Sequence, residues 1–347
     1  MSHVLGAIHE TMRAAQVPGM VVGVASGGAP AEVIAVGEDA RGTPLAGDSL
    51  FTVASVTKLA TALAVLRLCD AGELALDDAL SRHLPGATAA QPGVTLRGLL
   101  CHTAGLPLDV SPRHAAYAEG LDWPALGRAC LLTPIEAQPG RRVQYSNAGY
   151  GLLALVVEQR TGQQFAAALD RLVLAPLGIA GYLGDEPPRP PAALANVRGS
   201  HAGTAIEPFN SRFWRSLAMP WAGLVTNAAG ALALVRAYRA GGLLSAALQV
   251  QATRNQTGGL SGGFLEPMYW SPCPWGLGPE LRGSKSPHWV AAAAGPDSFG
   301  HSGASGCLAW YAPSHDTAFS ILGARTADSG WLLRRAPAVC AAILARE

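Results

Sequence analysis

Ser55 and Lys58 stand three residues apart, in Ser-Val-Thr-Lys, at the head of the apolar run 59–66. Residues i and i+3 share a helix face, so the amine can reach the hydroxyl. A serine beside a neutral amine is a nucleophile beside its base. The chain carries 23 arginines and only two lysines, Lys58 and Lys285. Arginine keeps its proton, whereas a desolvated lysine releases it, so a lysine kept at 58 in so arginine-rich a chain suits a base. The plainer alternative is a surface lysine on a first helical turn. A second cluster, Tyr145-Ser146-Asn147, follows the Pro139-Gly140 turn and precedes the apolar stretch 150–157. Its phenol could relay a proton and its carboxamide could hold a substrate carbonyl or Lys58, or the pair is an asparagine helix cap beside a packed tyrosine. A third, residues 300–306, reads Gly-His-Ser-Gly-Ala-Ser-Gly before a β-like run. Glycines there let a substrate lie against the backbone, where strand amides could face an oxyanion; the alternative is a Gly-rich turn with a solvated histidine.

Other signals compete. Residues 259–263, Gly-Leu-Ser-Gly-Gly, match G-x-S-x-G, with Asp297 and His301 following in chain order. A nucleophile elbow needs a buried strand before it and a helix after it, but residues 255–259 are polar loop and 264–274 are broken by prolines, so the match is read as a decoy. Cys101-His102 is read as a core cysteine and a structural histidine, because adjacent residues seldom face each other. The nine histidines show no metal-ligand spacing, and no cofactor is expected. Trp214, Trp221, Trp270, Trp275 and Trp289 crowd the stretch before the third cluster; Trp221, in the turn Pro-Trp-Ala-Gly, is the favoured wall of an acyl pocket.

The elements that must position these groups follow from periodicity. Residues 3–15 repeat apolar positions at helical spacing, 20–25 and 32–36 read as paired strands, and 55–71 as an apolar helix stopped by Gly72. Short helices and prolines occupy the middle; 306–311 and 317–323 return to β, and 332–346 closes as a helix. The order implies an α+β fold: an antiparallel sheet flanked by N- and C-terminal helices, residues 1–75 and 222–347 forming a mixed domain around an inserted helical domain, 76–221.

Taken together, S-x-x-K, Y-S-N and H-S-G in this order and spacing resemble the three motifs of the serine β-lactamase and penicillin-binding-protein superfamily. Residues 51–58 (FTVASVTK), 99–107 (LLCHTAGLP), 72–85 and Pro176-Leu177-Gly178 are similar to its class C-like branch, which includes carboxylesterases, D-aminopeptidases and DD-peptidases. The resemblance covers nearly the whole chain. It implies Ser55 as the acylated nucleophile, Lys58 and Tyr145 as the proton-transfer pair, and Asn147 as a substrate or lysine contact. It further implies His301, Ser302 and Gly303 as an edge strand, and the backbone N–H groups of Ser55 and Ala304 as the oxyanion hole. Many β-lactamases have K-T-G where this chain has His301-Ser302-Gly303, so the cation for a substrate carboxylate is lost or made pH-dependent. Lys285 could replace it, or be a solvated loop lysine. The expectation is therefore a carboxylesterase for small to medium acyl esters. A DD-peptidase, D-aminopeptidase or weak β-lactamase, an acyltransferase, and a non-catalytic penicillin-binding-like sensor are the alternatives.

Bulk properties narrow the partners. The 347 residues carry a net charge of +1, 49% hydrophobic and 14% charged residues, with 41 glycines and 25 prolines. That leaves no charge excess for nucleic acid, and hydropathy too high for disorder. The apolar run 59–66 is too short to span a bilayer, no basic n-region opens the chain, and six scattered cysteines read as reduced core thiols. The expected partner is a small-molecule ester or amide substrate, without nucleic acid or membrane, in the cytoplasm.

Overall fold

The β-branched run after Pro18 forms β1 (Gly19–Ser26), buried along seven of its eight residues. In a computed structural model that describes residues 2–184, 189–239, 242–264 and 267–345, β1 sits inside a six-stranded antiparallel sheet. The other strands are β2 (Glu32–Gly37), β3 (Glu280–Leu281), β4 (Phe299–Gly303), β5 (Cys307–Ala312) and β6 (Thr317–Gly323), in the spatial order β2-β1-β6-β5-β4-β3. Both ends of the chain thus feed one sheet, with Val22 opposite Ile321 and Leu308 opposite the same Ile321.

Alternation of side chains sorts β1 between two cores. Met20, Val22 and Val24 face α1 (Ser2–Ala15) and the C-terminal helix α5 (Trp331–Leu344), which pack against each other through Val4, Ile8, Val339 and Ile343. The reading of 332–346 as a closing helix agrees with α5; Arg346 lies outside the described residues. Val21 and Ala25 face the second core, which includes Ala228 and Leu232 of α4 (Ala228–Arg236). A side chain at Gly23 would run into Leu232 and Ser320, so the missing Cβ lets α4 lie close on the sheet. Because both faces are covered, the strand reads as a continuous apolar run.

Two helices form the centre of the second core. α2 (Thr57–Asp70) has eleven of its fourteen residues buried, and it packs against α3 (Asn147–Thr161), buried over most of its length. A helix hydrophobic all round belongs in a core. Gly72, at φ +71°, follows α2 as expected. All six cysteines are free thiols, five of them buried. Among the described residues no helix is long and apolar enough to cross a membrane.

Lys285 departs from both sequence readings. It is neither solvated nor free to meet a substrate carboxylate: its side chain is fully buried, 2.8 Å from Glu280 Oε1, over the rings of Trp270 and Trp275. Trp289 Nε1 donates to the other Glu280 oxygen at 2.9 Å, and the ammonium holds that carboxyl well below its ordinary range despite burial. An arginine-rich chain keeps its second lysine against two indoles, its Nζ 4.9 Å from the ring centroid of Trp270 and 4.8 Å from that of Trp275. Breaking the pair strands a buried charge, so Lys285→Met should lower unfolding free energy by about 3–5 kcal/mol, and Lys285→Met with Glu280→Gln should recover part of the loss. Urea denaturation of the two variants checks this; a single variant as stable as the parent would show that the pair contributes nothing.

Candidate active site

Ser55 does not lie on the first turn of α2 but one step earlier, on a single 3₁₀ turn, Ala54–Val56, that begins with Ala54 at φ +45°. The strained turn is held from outside. Thr57 Oγ1 donates to Ala54 O and accepts from Leu224 N, while Val53 N donates to Leu224 O. Against its other side lies β4, where Gly303 approaches so closely that an added Cβ would clash with Val53 O. The third motif thus needs its glycine for contact with the serine turn.

Lys58 is fully buried. Its Nζ lies 3.1 Å from Ser55 Oγ, 2.7 Å from Asn147 Oδ1 and 3.0 Å from the Trp221 carbonyl. Burial pulls the amine well below the 10.5 of an ordinary lysine, and the charge of Asp109 opposes that pull. The Tyr145 ring lies 4.6 Å from Nζ. Burial pushes its phenol well above the ordinary value, partly offset by a hydrogen bond with Ser55. One buried group therefore tends to lose its proton and its neighbour to keep it, the separation that acid–base work needs.

The helix cap is Ser146, whose Oγ accepts from Gly149 N at 3.0 Å. Asn147 is thereby free to turn inward, Oδ1 to Lys58 and Nδ2 to Asp109 Oδ1 at 2.7 Å. Asp109 was missed by the sequence reading; it carries no spacing signature and is recognisable only through this contact. The decoy motif is a support. Ser261 Oγ bonds Ser271, and Gly262–Gly263 pairs in parallel with Val143–Gln144, so that Tyr145 N donates to Gly263 O. A Cβ on Gly262 would collide with Val143 O, which accounts for the glycines there.

His301 is not the solvated histidine of the alternative reading, and no cation stands there at neutral pH, in keeping with the absence of the K-T-G lysine. The imidazole is buried on β4, its Nδ1 hydrogen-bonds Ser302 O at 2.7 Å, its Nε2 lies 3.4 Å from Tyr145 Oη, and burial beside Lys58 pulls it down to about 4. Trp221 contributes its carbonyl rather than a pocket wall, because its indole packs edge-on against Trp123 and beside Gly151. The cleft that opens on Ser55, about 410 Å³, is bordered instead by Phe264, Met268, Trp289, Leu332 and Leu333, with Ser302, Gly303 and Ala304 along one side and Asp328 and Arg334 at its rim. The geometry thus brings Ser55, Lys58, Tyr145 and Asn147 together and sets Ser302, Gly303 and Ala304 on the serine's cleft.

Sheet and helices together form a fold of the beta-lactamase/DD-peptidase type. The chain belongs to the beta-lactamase family, whose model matches residues 6–336. It is 41% identical over 167 residues to esterase EstB of Burkholderia gladioli, a match spanning 43% of this chain and 42% of EstB. Among solved structures, a beta-lactamase from Mycobacterium bovis, Mb2281c, is 28% identical with a TM-score of 0.70, over 97% of this chain and 98% of that one. The fold of EstCE1 superimposes with a TM-score of 0.77 at 22% identity, over 99% and 98%.

With two lysines in the chain, selective labelling of the lysine side chains yields two resonances. The one lost in Lys58→Arg should titrate well below 10.5, and Asp109→Asn should move it lower still, since that carboxylate favours the ammonium form. A Lys58 signal titrating near 10.5 would contradict the burial argument.

Proposed function

We propose that the protein is a carboxylesterase acting on small to medium acyl esters through an acyl-Ser55 intermediate. The observation that carries the reading is the set of partners around Lys58 Nζ. Two carbonyl oxygens, of Asn147 and Trp221, can only accept, so they fix two N–H bonds of a neutral amine and leave its lone pair for Ser55. Lys58 then takes the hydroxyl proton as Oγ bonds to the ester carbon. The N–H groups of Ser55 and Ala304 receive the oxyanion, the interaction that grows only in the transition state. Collapse breaks the bond to the alkoxide, which takes the phenol proton of Tyr145, and the proton on Lys58 restores the phenol. Water repeats the sequence on the acyl-enzyme and releases the acid.

Two features favour an ester over a penicillin or a D-peptide. The imidazole at the head of the third motif is uncharged at neutral pH, so a carboxylate beside it gains no ion pair. The cleft walls are largely apolar, suited to acyl chains. The likeness to esterase EstB supports the same choice. EstCE1 is described as a hydrolase with promiscuous acyltransferase activity. An apolar cleft that slows water's approach to the acyl-enzyme would allow an alcohol to compete here too.

With p-nitrophenyl butyrate, a stoichiometric burst followed by steady release is expected, with a kcat/KM above that for a penicillin or a D-amino acid amide. Release in the burst without turnover would instead mark a sensor. Ser55→Ala should abolish the acyl adduct in the mass spectrum and lower kcat/KM by more than about a thousandfold. Lys58→Arg should be as damaging as Lys58→Ala, because guanidinium cannot accept a proton. Turnover that survives Ser55→Ala would reassign the nucleophile.

A further inference from the structure

We propose that His102 is the positioning residue that sets the phenol of Tyr145, holding it from three sides at once. Its backbone carbonyl accepts from Gln144 N at 2.8 Å, its Nδ1 accepts from Ser146 N at 3.1 Å, and its ring lies on the phenol ring with centroids 4.4 Å apart. The residues on either side of Tyr145 are thus tied to one residue, Gln144 to its carbonyl and Ser146 to its imidazole, and the side chain between them rests on that imidazole's face. Gly263 O accepts the Tyr145 N–H and Phe264 packs on the phenol with centroids 3.9 Å apart, but the backbone on either side of the tyrosine is held by His102.

Two features show what this placement displaces. His102 adopts φ +61°, a left-handed conformation costly for a residue with a Cβ. Its Nδ1 is an acceptor, so the proton sits on Nε2, and that buried N–H has no hydrogen-bond partner among the described residues; the ring lies among those of Tyr145, Tyr150 and Trp275, the last edge-on with centroids 4.9 Å apart. A purely structural core would fill the space with an apolar side chain. An unsatisfied donor and a strained backbone are tolerated where the acceptor on the other ring nitrogen does something a hydrocarbon cannot. Burial, with Lys58 and His301 nearby, keeps the ring well below its ordinary pKa, so the acceptor is present across the working range.

The proposal rests on the reading of Tyr145 as the proton donor to the leaving group, and leaving-group dependence tests it. A p-nitrophenolate departs with little help, whereas an ethoxide needs the proton. His102→Leu should lower kcat/KM for ethyl butyrate at least tenfold and for p-nitrophenyl butyrate less than threefold. His102→Asn keeps an acceptor near the Nδ1 position and suits positive φ, so it should stay within threefold of the parent on both esters. Adding His102→Leu to Tyr145→Phe should cost nothing more. Should His102→Leu fail to fold, His102→Gly, whose backbone suits the conformation, should show the same selective loss and regain rate with added imidazole.

Equal loss on both esters, or independent effects of the two substitutions, would overturn the proposal in favour of general packing. A Tyr145→Phe enzyme damaged on ethyl butyrate beside an undamaged His102→Leu enzyme would overturn it alone. A Tyr145→Phe enzyme with unchanged rates would overturn both it and the role assigned to the tyrosine.

Discussion

The amine of Lys58 has four tetrahedral directions, one of them its own carbon, and the fold assigns the other three. Two carbonyl oxygens from distant parts of the chain, Asn147 and Trp221, take two of them, and Ser55 lies along the last. Each partner comes from a different element: one from the start of α3, one from the turn after the helical stretch, one from the 3₁₀ turn before α2. Displacing any of these by an ångström would aim the nitrogen elsewhere or leave a buried polar group without a partner.

Burial turns this geometry into chemistry. The desolvation that penalises a charged lysine in a core favours the neutral amine, which can accept a proton, and the same desolvation favours the protonated Tyr145 phenol. His301 obeys the same rule, which is why a histidine in the position of a substrate-binding cation is uncharged at neutral pH. The molecule keeps its other buried lysine by the opposite means. Lys285 has a carboxylate at 2.8 Å, whereas the acid nearest the Lys58 network, Asp109, is exposed and reaches it through the amide of Asn147. Pairing fixes one lysine in structure, whereas among the described residues the other meets no carboxylate directly.

The surroundings serve that arrangement. Gly303 gives up its side chain so that β4 can reach the serine turn, and Gly262 and Gly263 do so beneath the tyrosine. Ser146 takes the cap of α3 and so frees the asparagine beside it. A motif that reads as a second nucleophile is, in three dimensions, the strand that supports the first one's tyrosine.

Residue types and order were enough to single out Ser55, Lys58, Tyr145 and Asn147, which the fold brings together, because S-x-x-K and Y-S-N are local patterns, and enough to foresee the central helix and the sheet from both chain ends, because apolar periodicity is local too. What surrounds those groups was not legible. Solvation is a property of the folded interior, so Lys285 reads as a solvated loop lysine or a substrate-facing cation when it is a buried ion-pair member. A backbone carbonyl has no sequence signature, so Trp221 was noticed for its indole. Asp109 and His102 meet their partners across 38 and 44 residues respectively, distances that only tertiary packing closes.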